Sequence, residues 1–563
     1  MKHKRSLGET LVEEGIITRE QLAQAQEEEK KSGHHLRKVV VRMGLIEEND
    51  LVELLADKLN VPRIELENYL IDPKIVELIP EPLARKYDLM PVFKIGNRLT
   101  CAMVDPWNVF ALDELRMKTN FVIEPAVATE AEIRQALDEH YGVRGSMEEV
   151  IRSIDEANPG LKDLKEEDLK ELEGIVKEPV VIKLVNLMIL EALHDGASDI
   201  HIEPEEKRLK MRFRVDGMLR EVPSPPKHLQ SALISRIKIL ADLNIAERRI
   251  PQDGRFNIRM ENKEIDVRVS CLPTLYGENV VLRLLDVSGA LLPLTHLGFS
   301  KDVFDRYQQL IQEPYGIILV SGPTGSGKTT TLYSSLDKIN TVEKNIITIE
   351  DPVEYRLTGI RQTQVNVKVN LTFANGLRSI LRQDPNVIMV GEIRDKDTAE
   401  IAIQAALTGH LVFSTLHTND AAGAITRLID MGIEPFLVAS SILGVLAQRL
   451  LRTICKECKA EYKPSAESLK FLGTDVPEGA RFFRGEGCPK CMETGYKGRI
   501  GIFELMIPDE KVRDLTMKKG TRGEIKKHAQ WLGMKTLREE GMRKIREGLT
   551  TVEEVLRVSR EES

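Results

Sequence analysis

Gly322-Pro-Thr-Gly-Ser-Gly-Lys-Thr329 stands one residue beyond the apolar run Tyr315-Gly-Ile-Ile-Leu-Val320 and opens the helix-compatible segment Thr330-Thr-Leu-Tyr-Ser-Ser-Leu336. It satisfies G-x-x-x-x-G-K-[ST] in the right setting: a buried strand, a glycine-rich loop, then a helix. Glycines let backbone N–H groups close around phosphate oxygens, in a concavity that faces a helix N-terminus. Lys328 places a point charge on the β/γ-phosphates, and the Thr329 hydroxyl suits Mg²⁺. The loop residues Gly322, Pro323, Thr324, Gly325, Ser326, Gly327, Lys328, Thr329 and Thr330 are therefore the candidate ligands of a nucleoside triphosphate such as ATP.

Downstream, two further apolar runs end in acids. Ile346-Ile-Thr-Ile-Glu350-Asp351-Pro-Val-Glu354 closes on three carboxylates, and Val387-Ile-Met-Val-Gly391-Glu392-Ile-Arg394-Asp395 repeats the pattern. Ligands of parallel sheets sit at the carboxyl ends of strands, where both clusters fall. Hydrolysis requires one carboxylate near the metal's water shell and another to orient the attacking water. Gly391 occupies the place where an Asp usually ends such a strand, so Glu392 is the candidate for water activation. Glu350 and Asp351 are expected to assist the metal, with Glu354 beside them; the bland alternative is that Glu392 merely pairs with Arg394. A third run, Leu411-Val-Phe-Ser-Thr-Leu416, is bracketed by His410 and His417. These are candidates for sensing the γ-phosphate, against the alternative of structural hydrogen bonding.

Cys455-Lys-Glu-Cys458 and Cys488-Pro-Lys-Cys491 form C-x₂-C-x₂₉-C-x₂-C, two knuckles that suit a closed tetrahedral Zn²⁺ site of structural type. Cys101 and Cys271 lie in strand-like apolar contexts and read as buried thiols.

Upstream, Leu209-Lys-Met-Arg-Phe-Arg-Val215, Asp216-Gly217 and Met218-Leu-Arg-Glu-Val222 read as a hairpin of alternating strands joined by a two-residue turn. Met211, Phe213 and Val215 then share one face and Arg212 and Arg214 the other. Arg255, Arg268 and Arg283 lie in the strand-like segments that follow. An arginine delivered to a γ-phosphate accelerates phosphoryl transfer by roughly 10³–10⁵; the alternative is a solvated surface charge.

At the N-terminus, Leu7–Leu22 recurs weakly as Leu36–Leu51, with five of sixteen positions identical. Each copy reads as a short helix stopped by Gly15 or Gly44, followed by a second helix. The expected division is a helical repeat module at 1–60, a small α/β module at 61–144 and a charge-dense linker at 145–178. An α/β domain at 179–290, a nucleotide domain at 291–508 with the cysteine insertion at 453–495, and closing helices at 509–563 complete it. The 563 residues exceed what one core supports. A composition of 42% hydrophobic and 30% charged residues describes a soluble globular protein, and a net charge of −8 argues against nucleic acid as main partner. No apolar h-region follows Met1-Lys-His-Lys-Arg5, and no apolar run approaches eighteen residues, so the expected location is cytosolic.

Taken together, the phosphate loop, Ile349-Glu-Asp-Pro-Val-Glu354, Val390-Gly-Glu-Ile-Arg-Asp395 and Leu407–Asp420 resemble the secretion ATPase superfamily. Ser198-Asp-Ile-His-Ile-Glu-Pro204, Arg212–Gly217, the tetracysteine insertion and Gly548–Leu556 narrow the resemblance to type IV pilus extension (assembly) ATPases and the related type II secretion ATPases. The resemblance covers nearly everything beyond Pro179. It implies a RecA-like ATPase domain preceded by a PAS-like domain, a ring homohexamer, and Arg268 and Arg283 as phosphate contacts. It also implies an inner-membrane platform protein as partner, through which hydrolysis adds pilin to a fibre and which holds the enzyme peripherally at the membrane. The N-terminal repeats resemble a cyclic-di-GMP-binding module, a place where regulators would act, but depart from its motif: Arg5 is shifted, Arg37 stands where Gly is expected, and Glu29 and Lys58 where Gln is expected. Binding of that ligand is therefore doubtful. Two other classes compete: a nucleic-acid translocase, for which two Trp, ten Tyr and fourteen Phe offer little base stacking, and a nucleotide-gated scaffold without turnover.

Overall fold

Helix stops written as glycine appear where the repeat places them. In the computed structural model, which describes residues 7–32, 36–106, 108–141, 179–260, 263–286, 291–465, 467–469 and 481–559, the first repeat forms helices Leu7–Glu13 and Arg19–Ser32. The second forms Leu36–Arg42 and Glu48–Leu59. Gly15 and Gly44 end the first helix of each pair at φ 70° and 65°, a left-handed conformation that costs glycine least. Leu11, Val39, Val40, Leu51, Val52 and Leu55 bury a shared core between the two copies. The linker expected at 145–178, with Arg5, lies outside the described residues.

The chain divides into two units, 1–288 and 289–563. Within the first, strands β1 (Leu89–Ile95), β2 (Arg98–Met103) and β3 (Val122–Val127) form a three-stranded sheet in that order. The β1–β2 pair is antiparallel and β2–β3 parallel, so the helix Val109–Thr119 serves as the crossover. Next comes an antiparallel six-stranded sheet of β4 (Ala197–Pro204), β5 (Leu209–Val215), β6 (Met218–Val222), β7 (Gln252–Met260), β8 (Lys263–Thr274) and β9 (Gly277–Asp286), ordered β6-β5-β4-β9-β8-β7. Asp216 and Gly217 both adopt positive φ (48° and 85°), the two-residue turn whose twist matches its strands. β5 alternates buried and half-buried residues along its whole length, with Met211, Phe213 and Val215 inside as the pattern requires. Helices Pro179–His194 and Gln230–Leu240 pack on this domain's sheet.

The second unit is built on a seven-stranded sheet ordered β12-β11-β13-β14-β10-β15-β18. Its strands are β10 (Gly316–Ser321), β11 (Ile346–Glu350), β12 (Arg361–Gln364), β13 (Val387–Val390), β14 (Leu411–Leu416), β15 (Ile442–Ile454) and β18 (Tyr496–Met506). All neighbours pair in parallel except β15 with β18. β10, β11, β13 and β14 are buried at every position, as parallel strands covered on both faces must be. Between β15 and β18 stands the cysteine insertion, a two-stranded ribbon of β16 (Lys459–Tyr462) and β17 (Phe482–Gly485). Helices Glu510–Met517, Arg522–Trp531, Leu537–Arg546 and Val552–Ser559 close the unit. Among the described residues no helix is long and apolar enough to cross a membrane.

Candidate functional site

The phosphate loop leaves the carboxyl end of β10 and enters the helix Lys328–Ile339. That helix starts at Gly327 (φ 88°) with no side-chain cap, so its first-turn N–H groups are open to an anion. A Cβ on Gly322 would fall 2.6 Å from the Gln448 carbonyl oxygen, which excludes any larger residue there. Ser326 Oγ is buried without a protein partner. Lys328 Nζ folds back on the Gly322 and Pro323 carbonyls at 2.8 and 3.1 Å. Burial lowers its pKa to about 8, partly offset by the Glu392 carboxylate and reinforced by Arg449. Uncapped amides, an orphaned hydroxyl and a half-desolvated ammonium fit a polyphosphate.

Glu392 leaves the end of β13. Its carboxylate meets Arg394 at 2.5 Å and His417 Nε2 at 3.4 Å, so pairing with Arg394 and access to the site coexist. Gly391 has a steric reason: a Cβ there would approach Glu350 Cα to 3.3 Å. Thr415 Oγ1 donates to the Gly391 carbonyl at 2.7 Å, which fixes the Glu392 loop against β14.

Glu350 departs from its expected role. It is buried, its carboxylate accepts from Thr348 at 2.5 Å and from Gln362 at 3.2 Å, and the Tyr333 hydroxyl donates to it as well. Burial raises its pKa against these donors. Such a group braces β11; the exposed carboxylate of this cluster is Asp351, with Glu354 half-buried next to the Tyr333 hydroxyl. His410 is a correction. It precedes β14, its carbonyl accepts from Gly316 at the amino end of β10, and its Nδ1 lies 2.9 Å from the Ala405 carbonyl. A six-residue strand separates it from the phosphate-loop edge, about 20 Å away. His417, at the other end of the same strand, reaches Glu392.

In the antiparallel sheet of the first unit, Arg255 pairs in register with Arg268, Arg268 with Arg283, Arg283 with Asp199, and Asp199 with Arg214. Four guanidiniums thus share one row with a single carboxylate. Asp199 takes Arg283 Nε at 3.0 Å and Arg214 Nε at 3.6 Å, Arg268 lies 3.5 Å from Asp266, and Arg255 is exposed. Like charges directly opposed across strands destabilise a sheet; this row therefore has an excess of positive charge that an anion would neutralise.

The Sγ atoms of Cys455, Cys458, Cys488 and Cys491 all lie within 4.8 Å of one another. Cys455–Cys488 and Cys458–Cys491 are 3.8 Å apart and Cys488–Cys491 3.6 Å. Four sulfurs about 2.3 Å from a tetrahedral centre stand about 3.8 Å apart, so the cluster fits zinc. Cys491 Sγ accepts from the Gly495 and Cys488 amides at 3.3 Å each, and despite burial these hold its pKa down to about 7.

Two functional supports are missing from the sequence reading. Gln448 on β15 accepts from Thr331 Oγ1 at 2.8 Å and donates to the Ser326 carbonyl at 2.6 Å, bracing the phosphate loop from both ends. Arg449, buried beside it, donates to the Asn419 carbonyl at 2.9 Å. Their three partners are 30 to 122 residues away, and no local motif marks them.

A phosphate loop on a parallel sheet, faced by a glutamate at the end of a neighbouring strand, defines a P-loop nucleoside triphosphatase. The family model described as "Type II/IV secretion system protein" matches residues 175–557, and a second, the "MshEN domain", matches 59–147. The latter falls on the small α/β module, adjoining the helical repeats that carry the resemblance to a ligand-binding module. The chain is 45% identical to a type IV pilus assembly ATPase, PilB, of Myxococcus xanthus over 98% of each chain. It is 43% identical to a type II secretion system protein E of Xanthomonas campestris over the same shares. The ATPase DotB of Legionella pneumophila superposes with TM-score 0.50 at 21% identity, covering 67% of this chain and 96% of that one, and shares the fold. The chain belongs to the type II/IV secretion system protein family, and it is an ATP-hydrolysing enzyme of that family.

Proposed function

We propose that the chain is a motor ATPase, acting as a homohexamer on the cytoplasmic side of the inner membrane, that drives pilin polymerisation through a membrane platform protein. The observation that carries this reading is the Lys328–Glu392–His417 constellation, on a chain similar over its whole length to a pilus assembly ATPase. The loop 322–330 would hold the phosphates, with Thr329 and Asp351 toward a Mg²⁺ ion. Bound ATP with Mg²⁺ supplies the scissile anhydride and neutralises part of its charge. Glu392 accepts the proton of the attacking water, and His417 holds that carboxylate in orientation. Arg268 and Arg283, with Arg255 in the same row, neutralise charge that develops on the γ-phosphate. The four cysteines would hold a Zn²⁺ ion, which would keep the insertion folded.

Powering a type II secretion pseudopilus is the second reading, favoured by the equally extensive similarity to a protein of that system. Deleting the gene in its source organism separates the two. Loss of surface pili with exoprotein export intact supports the first; the reverse supports the second. An ATPase assay on the pure chain tests the shared premise, and absence of turnover would return the nucleotide-gated scaffold.

A further inference from the structure

The helix Arg522–Trp531 belongs to the closing segment, to which sequence assigns no chemistry, yet it reaches the loop that carries His417. That loop, residues 417–420, is tied at every position that follows the histidine. Thr418 Oγ1 meets Ser321 Oγ, the residue just before the phosphate loop, at 2.5 Å, and the Thr418 amide donates to the same hydroxyl at 3.1 Å. The Asn419 carbonyl accepts from Arg449. The Asp420 side chain, fully buried, caps the next helix by accepting from the Gly423 amide at 2.9 Å.

Capping alone leaves most of a buried charge uncompensated. Arg522 supplies the balance, with Nε at 3.0 and 2.9 Å from the two Asp420 oxygens and its terminal nitrogen at 2.8 Å. Lys526, one helical turn on, adds a contact at 3.0 Å and stands 3.9 Å from the buried Glu504, whose Oε1 accepts the Ala421 amide at 2.9 Å. Burial pushes the Asp420 pKa upward, but Arg522, the Gly423 amide and Lys526 outweigh it and hold the carboxyl below its usual range. Asp420 at the start of one helix, Glu504 on β18 and two cations on another helix thus form a single clamp, with Asp420 and Lys526 separated by 106 residues of sequence.

We propose that Arg522 and Lys526 are positioning residues for catalysis: by holding Asp420 they fix the 417–420 loop, and so the His417 contact that orients the Glu392 carboxylate. This rests on the reading of Glu392 as the group that activates water. The clamp's hydrogen bonds join Arg522 and Lys526 to Asp420, and Asp420 and Glu504 to the Gly423 and Ala421 amides. Breaking it is therefore expected to lower turnover while sparing nucleotide affinity, and displacing a reacting group by about 1 Å costs on the order of 10²-fold in rate.

The test is a double-mutant cycle in the full-length chain, with kcat, KM, nucleotide affinity and Tm measured for each variant. Arg522→Gln is expected to lower kcat by about 10–10²-fold with ATP affinity and KM within about threefold, because the nucleotide contacts are intact. Arg522→Lys, which keeps the charge, is expected to restore much of the loss. In a His417→Asn background, Arg522→Gln is expected to add little further loss. Arg522 is 43% exposed in its side chain, so the variant is expected to fold; should Tm fall sharply, Lys526→Gln gives the same reading from the other cation. Equal losses from Arg522→Gln with and without His417, unchanged kcat, or a parallel fall in affinity would each overturn the proposal. Glu392→Gln with normal turnover would instead remove the premise, which separates the two failures.

Discussion

β15 runs between two charged regions that are built on opposite terms. Near its middle, Gln448 braces the phosphate loop and Arg449 the loop that carries His417, beside a Lys328 that folds onto two carbonyls and a Glu392 shared by Arg394 and His417. At its far end Arg452 meets Glu554, whose fully buried carboxylate accepts from the Arg452 amide and guanidinium and from Arg557, at 2.7 to 3.1 Å. Burial alone would raise that carboxyl; Arg557 and Arg452 bring it down to about 2. The first region keeps charge available for a substrate, whereas the second consumes it in holding β15 and the last helix together. Partner count, more than charge itself, separates chemistry from scaffolding here.

Substitutions at the two ends should therefore fail differently. Lys328→Ala removes the charge facing the β/γ-phosphates and is expected to lower turnover by about 10³-fold or more and to weaken nucleotide binding, with Tm nearly unchanged. Because burial holds Lys328 near pKa 8, the phosphates of bound ATP should draw a proton to it above that pH. Calorimetry at pH 9 in buffers of different ionisation enthalpy should show net proton uptake on binding, and Lys328→Ala should abolish it. Arg268→Ala and Arg283→Ala are expected to cost about 10²-fold in kcat with smaller losses in affinity. Mixed rings of Arg268→Ala and Lys328→Ala subunits that recover activity would indicate supply by a neighbouring subunit; two Arg variants with wild-type kcat would remove the row from the reaction.

On the scaffold side the expected losses are in stability. Metal analysis is expected to find one zinc per wild-type chain, and Cys488→Ser should release it and locally unfold the insertion, since structural zinc contributes about 10–16 kcal/mol of apparent binding free energy. Metal-free wild-type protein with the insertion folded would contradict this. Glu554→Gln should lower stability by on the order of 3 kcal/mol at neutral pH, with ATP turnover per folded enzyme retained. The folded-state pKa of Glu554 is depressed, so its contribution is complete above about 4.5 and is lost as pH falls toward 2. Wild-type and Glu554→Gln unfolding curves should accordingly converge across that window.

The smallest effect is expected at the N-terminus. Of the four departures from the ligand motif, three lie among the described residues: Glu29 accepts the Leu36 amide at 2.8 Å, Lys58 pairs with Glu14, and Arg37 is buried with one terminal nitrogen 3.4 Å from the Ala128 carbonyl and the other without a hydrogen-bond partner. Cyclic-di-GMP added to the full chain is expected to bind more weakly than about micromolar. A tighter isotherm by calorimetry would overturn that expectation.

What could be read from residues alone follows from how local each feature is. The phosphate loop, the acid-terminated strands, the Asp216-Gly217 turn and the cysteine knuckles are contiguous, and the fold places each where its spacing requires. His410 was misread as a phosphate sensor, although the rule that puts Glu350 and Glu392 at carboxyl ends puts a residue preceding a parallel strand at the amino end. The burial of Glu350 was not legible, since its partners Tyr333 and Gln362 arrive from other elements. Gln448, Arg449 and the Asp420–Arg522 pair owe their positions to strand order and helix docking, which no window of sequence contains.

Glu392→Gln tests the central claim most directly, because the amide preserves shape and hydrogen bonding but cannot take a proton from water. In the full-length enzyme, ATP affinity is expected to stay within a few fold of wild type while single-turnover hydrolysis falls by roughly 10²–10⁴. Wild-type hydrolysis by Glu392→Gln would contradict the account and move the water-activating role to another carboxylate of the site.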